Sequence, residues 1–187
     1  MQKPLGRNTV VLLGVGHTNA HVLRMWKMQP IANAQLICVS NFPVATYSGM
    51  LPGVLSGQFS PEKMEIDLVR LCASAGARLI VDEVTGLDRE HRRLEFANRP
   101  PLGFDVLSVG IGSQPSFENT TVESKKILVP VKPMQTFLER LESVLNLSAQ
   151  RRQTSDSTAV SQLAPQQIVI VGGGVGSLEI AFVWINA

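Results

Sequence analysis

Cysteine and histidine are scarce in this sequence, with two Cys and three His among 187 residues. Cys38 and Cys72 stand too far apart for a CxxC redox pair, and two cysteines make no disulfide framework. They read as buried free thiols in a reducing compartment, and a cytoplasmic protein is expected. His17 and His21 lie one helical turn apart, but no cysteine is near them and the sequence holds no metal-ligand spacing. An excess of one charge is also missing: 17 Lys+Arg face 15 Asp+Glu, a net charge of +2. The basic clusters at 89–93, 125–126 and 151–152 are short and form no phosphate-tracking stripe, so nucleic acid is excluded as a partner. Residues 1–8 are polar and lead into a strand-like segment, so no signal peptide is expected. From residue 28 to 61 there is no charge at all, yet four prolines and three glycines interrupt the run. A membrane-spanning helix needs about 20 uninterrupted apolar residues, so no transmembrane segment is expected and the run reads as a buried loop region.

What is present suits a packed core. Hydrophobic residues make up 44% and charged residues 17% of the chain, and the length fits one domain or one domain plus part of another. Residues 9–13 are a continuous aliphatic and β-branched run, the pattern of a strand covered on both faces. A glycine turn follows at Gly14-Val15-Gly16, then a helix over 20–29 stopped by Pro30, then a strand over 35–40. Together they make a βαβ unit. Further on, Asp67 is a fair N-cap for a helix over 68–75, with Gly76 at the left-handed position after it. Residues 78–82, 84–88 and 93–97 read as short strands, 98–103 as a proline turn and 104–109 as another buried strand. We expect a parallel sheet containing 10–13, 35–39, 79–81 and 106–109, with a small antiparallel meander over 84–97. Residues 133–147 carry a 3.6-period apolar stripe at Met134, Phe137, Leu138, Leu141, Val144 and Leu145. The polar stretch 149–167 reads as an exposed, poorly ordered loop. After it the opening pattern returns, with a strand over 168–171, a Gly172-Gly173-Gly174 turn and a helix still running at Ala187.

A glycine turn between a buried strand and a helix suits a dinucleotide. The first glycine makes the turn, the second lets the backbone approach the pyrophosphate, and the helix N-terminus offers free N–H groups. Gly14 and Gly16 meet these needs, with His17 and Thr18 beside them; His17 reads as a neighbour of a phosphate or a local cap. The third motif position is Asn19 instead of glycine, so close helix–strand packing must be achieved otherwise. At the end of the second strand, where a ribose-binding acid is usual, stand Ser40 and Asn41, which can still hydrogen-bond hydroxyls. The second motif has Gly172 and Gly174 in place, Ser177 at the third position and Glu179 two residues later.

Two such motifs separated by Phe104–Pro115, with its DxLxxxxGSxP pattern, resemble the pyridine nucleotide-disulfide oxidoreductase-like flavoproteins, including the type II NADH dehydrogenases. The sequence is most similar to the FAD-dependent module found alone or fused ahead of selenide, water dikinase. Tyr47-Ser48-Gly49-Met50-Leu51-Pro52-Gly53 and Val129-Pro130-Val131-Lys132-Pro133 carry that likeness, with Ile66-Asp67-Leu68, Gly76-Ala77-Arg78 and Arg99-Pro100-Pro101-Leu102. The resemblance implies a Rossmann-like, three-layer α/β FAD-binding domain with a small antiparallel meander over residues 1–115. Residues 116–187 would hold a linker helix, the 149–167 loop and the truncated start of a second, NAD(P)-binding Rossmann-like domain.

It also implies FAD at Gly14, Gly16, His17, Thr18 and Asn19, with Ser40 and Asn41 towards the ribose and the backbone at Val84 near the adenine. Gly110, Gly112 and Ser113 would form the second FAD-contacting turn, and Tyr47, Ser48 and Met50 would lie near the flavin. NADH or NADPH would meet Gly172, Gly174 and Glu179. The absence of a CxxxxC pair argues against disulfide reduction, and no side chain stands out as a catalytic acid, base or nucleophile. The expected function is electron transfer from NAD(P)H through FAD to an unidentified small-molecule acceptor, with a link to selenium metabolism by resemblance only. The alternative is a non-catalytic nucleotide-binding module or an inactive remnant, since the sequence reads as a piece of a longer chain or a shortened product.

Overall fold

The computed structural model describes residues 8–116, 128–155 and 167–185. In chain order the elements are β1 (Asn8–Leu13), α1 (His17–Met28), β2 (Ala34–Ser40), β3 (Val44–Thr46), α2 (Leu51–Leu55), β4 (Glu65–Asp67) and α3 (Leu68–Ser74). There follow β5 (Arg78–Val81), β6 (Val84–Asp88), β7 (Arg93–Phe96), β8 (Leu102–Gly103), β9 (Val106–Val109), α4 (Phe137–Ser155) and α5 (Val175–Ile185). The chain divides into two compact units, Met1–Tyr47 with Met64–Gly112, and Ser48–Lys63 with Ser113–Ala187.

The first unit is built on a four-stranded sheet in the order β5-β2-β1-β9. All of its pairings are parallel, with Leu13 level with both Val39 and Val109. Counting only these strands along the chain, the order is third, second, first, fourth, a Rossmann-type arrangement. The expected sheet membership is observed, and β1 is an interior strand. Because successive side chains of a strand face opposite ways, the aliphatic runs feed two cores. Leu12, Leu36 and Cys38 pack with Leu23 and Trp26 of α1 and with Leu68 and Cys72 of α3. Val11, Ile37, Val39 and Ile80 pack on the other face with Leu94 and Phe96 of the meander. The result is three layers: helices, parallel sheet, antiparallel sheet.

Local signals explain the ends of these elements. Asp67 caps α3, its Oδ1 accepting from the Arg70 N–H at 2.9 Å. Beyond the helix Gly76 takes φ +65°, and the N–H groups of Gly76 and Ala77 close on the carbonyls of Ala73 and Cys72, a glycine-terminated cap. Asp105 ties the starts of β1 and β9: its Oδ2 accepts from Thr9 N–H at 2.6 Å while its own N–H donates to Thr9 O. Cys38 and Cys72 are both free and buried. The Cys72 hydrogen bond first, and burial second, push the Cys38 thiol up and keep it protonated.

Several expectations are corrected. Beyond its expected strand, the uncharged run is neither all loop nor all buried, since it contains β3 and α2 and residues 56–61 are exposed. There β3 finds an antiparallel partner in β4. The proline turn ends early, because Leu102 and Gly103 pair with β7 as a third meander strand. α1 begins at His17, three residues before the apolar pattern suggests.

In the second unit, α2 and α5 are in contact, and among the described residues Leu51, Phe137 and Ile180 are the buried apolar side chains. Arg140 braces the start of α4, its guanidinium donating to the carbonyls of Pro133 and Thr136. α4 runs on to Ser155, through residues expected to be loop. Ala149 to Gln153 are good helix formers without Gly or Pro, so polarity alone did not mark a break. Residues 156–166 lie outside the described residues. Residues 168–171 form no strand, although their sequence matches β1 in character. A strand exists only by pairing, and this unit contains no other strand among the described residues.

Candidate dinucleotide site

The glycine turns of the first unit lie at the carboxyl ends of neighbouring parallel strands. β1 ends at Leu13 and β9 at Val109, which are register partners, so Gly14 and Gly110 emerge side by side. This is where strand order reverses, the place at which open α/β sheets form a ligand crevice. Gly14 has φ +76°, and a Cβ there would sit 2.5 Å from Gly110 O. Only glycine fits. Hydrogen bonds from Gly14 N–H to Val39 O and from Gly110 N–H to Leu13 O hold the turns against the sheet.

Gly16 is the N-cap of α1, with φ −77° and ψ −171°, and no side chain caps the helix. A Cβ on Gly16 would have only Gly110 O near it, at 3.7 Å. The turn therefore leaves an open cradle at a 12-residue helix whose first turn carries no acidic residue. The N–H groups that begin an α-helix lack intrahelical partners, and the helix dipole favours an anion there. This geometry fits a pyrophosphate. It fits FAD at Gly14 and Gly16 for the same reason: a side chain at Gly16 would fill the cradle.

The remaining predicted residues of this unit fall around it. His17 opens α1 and stacks on Tyr47, with ring centroids 5.1 Å apart and an interplanar angle of 26°. His17 is thus not the cap. Thr18 is exposed in the first turn, whereas Asn19 is 1% exposed and faces inward. Its Nδ2 donates to Gly14 O at 2.6 Å and its Oδ1 accepts from Ser108 Oγ at 2.9 Å. Ser40 ends β2, and its hydroxyl oxygen accepts from Phe42 N–H at 3.3 Å; Asn41 beside it is exposed. Val84 starts β6, half-buried, and Gly112 has φ +75°. Ser108 was missed. A lone hydroxyl in an apolar strand, level with Leu12 of β1, was its signal.

Ser48, Met50, Ser113, Gly172, Gly174 and Glu179 belong to the second unit. Ser48 and Met50 bound a single 3-10 turn, and Lys132 Nζ donates to Ser113 Oγ at 3.1 Å. Gly172 has φ +130°, with Ser177 Oγ 2.9 Å from where its Cβ would be. The Leu178 N–H closes on Gly174 O at the start of α5, and Glu179 is exposed. Among the described residues no group of three His, Cys, Asp or Glu is placed to hold a metal ion. No helix among them is long and apolar enough to cross a membrane.

The sheet and its turns define the class: an α/β protein of Rossmann type with paired glycine turns at the strand-order reversal. No sequence-family model matches the chain, and no curated protein does. Solved structures do match. Similar in fold are the water-forming NADH oxidase from Lactobacillus brevis bound to NADH (TM-score 0.65, 14% identity, 95% of this chain and 37% of that one) and NDH2 from Plasmodium falciparum in complex with NADH (0.64, 15%, 81% and 31%). The sulfide:quinone oxidoreductase from Aquifex aeolicus is a third (0.57, 16%, 76% and 32%). The chain spans about a third of the length of these proteins.

Proposed function

We propose that this chain is the FAD-binding part of an NAD(P)H-dependent oxidoreductase that passes electrons through the flavin to a small-molecule acceptor. One observation carries the reading: Gly14, where only glycine fits, meets Gly110 at the strand-order reversal, beside an uncapped helix N-terminus left open at Gly16. The fold likeness to oxidoreductases, two of them solved with NADH, supports it.

In this reading Gly16 and the first turn of α1 bind the pyrophosphate by backbone N–H groups, and Ser40 and Asn41 meet ribose hydroxyls without a carboxylate. Val84 offers backbone atoms to the adenine. Tyr47, stacked on His17, walls the mouth of the cradle. A bound flavin would supply the hydride and electron chemistry; the chain supplies orientation. NAD(P)H would be taken by the Gly172 and Gly174 turn, with Glu179 near it, and the acceptor is a small molecule. A cytoplasmic setting fits the free thiols.

A second reading, a nucleotide-binding module without turnover, is favoured by one feature: residues 168–171 lead into the second glycine turn without being part of a sheet. The test is FAD titration of the purified chain, followed by flavin absorbance and NADH consumption. Bound flavin that NADH reduces supports the oxidoreductase. Bound flavin that neither NADH nor NADPH reduces supports the module, and no flavin uptake refutes the oxidoreductase.

A further inference from the structure

Asn19 is the one buried polar side chain among the described residues, and the argument for its role rests on the FAD reading above. It stands on the inward stripe of α1 with Leu23 and Trp26, where a dinucleotide motif would usually place a glycine to let helix and strand approach. The amide's orientation is fixed by chemistry. Gly14 O only accepts, so Nδ2 must face it, and Oδ1 is left to accept the Ser108 hydroxyl proton. One side chain thus joins the β1 turn, the first turn of α1 and β9, whose Ser108 is 89 positions away in sequence. Gly110 closes over the same group: a Cβ there would lie 2.6 Å from Asn19 Nδ2.

We infer that Asn19 is a positioning residue, whose buried amide locks the Gly14 and Gly110 turns into one preformed cradle and does not itself touch the dinucleotide. Satisfied buried polar groups rigidify and specify their surroundings. Here the specified object is the spacing of the two turns that would grip a single ligand. A pre-set spacing spares the ligand the cost of ordering both turns on binding. Ser108 acts only through Asn19.

The test is a double-mutant cycle on the 187-residue chain with Asn19→Ala, Ser108→Ala and the pair. FAD affinity is read by titration well below each variant's melting temperature, with the visible circular dichroism of the bound flavin. Asn19→Ala should weaken FAD about tenfold or more, and Ser108→Ala by roughly several-fold. The double variant should bind no worse than Asn19→Ala, and the flavin dichroism should change in all three. A purely structural role would lower melting temperature while leaving affinity and dichroism of the folded protein unchanged. That result overturns the inference. So do additive losses, which would mean that Ser108 and Asn19 act independently. Ser108→Ala, the milder change, keeps the test open if Asn19→Ala fails to fold. Failure of the unsubstituted chain to take up FAD refutes the cofactor reading itself, whereas equal uptake by every variant refutes only the positioning role.

Discussion

Gly16→Val separates binding from folding at one turn, because its neighbour Gly14 cannot. At Gly14 a side chain meets two penalties: the left-handed backbone, about 1–2 kcal/mol for an L residue, and a carbonyl oxygen 2.5 Å from the new Cβ. Gly14→Ala is therefore a stability variant. Gly16 has extended backbone angles open to any residue, and its new Cβ would touch only Gly110 O, at an ordinary 3.7 Å. Gly16→Val should fold, with a melting temperature close to the parent's. Its isopropyl group would occupy the cradle before the helix N-terminus and deny a pyrophosphate its backbone N–H donors. Two hydrogen bonds to a charged group, at about 1.5–3 kcal/mol each, correspond to a loss of roughly 10²–10⁴ in affinity. Flavin titration by absorbance, with far-ultraviolet circular dichroism and thermal melting on the same samples, measures both halves. A folded Gly16→Val protein that binds FAD like the parent would show that this turn is not the cofactor site.

Asp105→Ala removes the carboxylate that receives Thr9 N–H and should cost about 1–2 kcal/mol in denaturant unfolding. Asp67→Ala should cost about 1 kcal/mol by uncapping α3, read from the urea midpoint at unchanged slope. The His91 backbone N–H, then its ring at 2.7 Å, hold the Asp88 carboxyl below its usual value. A lowered folded value means that stability from this turn is complete above the unfolded value near 3.8 and is lost as pH falls through the folded one. Asp88→Asn should therefore flatten the melting temperature against pH below about 4, and a parent curve that overlays the variant's would refute that assignment.

The parallel sheet was legible because its strands are short aliphatic runs, each ending at a turn residue, with the two central ones buried on both faces. The α3 boundaries were legible too, since Asp67 and Gly76 act within a few residues of their own backbone. Contacts between distant segments were not. Nothing at Asn19 announces Ser108, which the β1–β9 register alone brings within reach. The missing acid after β2 and the missing third glycine read as departures from a motif, yet Asn19 is fully paired inside the fold. The helix through Ala149 to Ser155 departs from the expected loop because a polar run can consist of good helix formers. Residues 168–171 depart from the expected strand for the converse reason: their composition suits a strand, but pairing belongs to the surroundings.

That same four-residue run has a consequence for contacts between molecules. Ile168, Val169, Ile170 and Val171 are all β-branched and uncharged, and Val169 and Val171 are 83% and 84% exposed. With no strand beside it among the described residues, the run is a template on which strands from other molecules can stack. Encounters between molecules rise with the square of concentration, whereas folding within one molecule does not. Self-association through the lead-in to the second glycine turn should therefore grow with concentration, which light scattering against concentration checks.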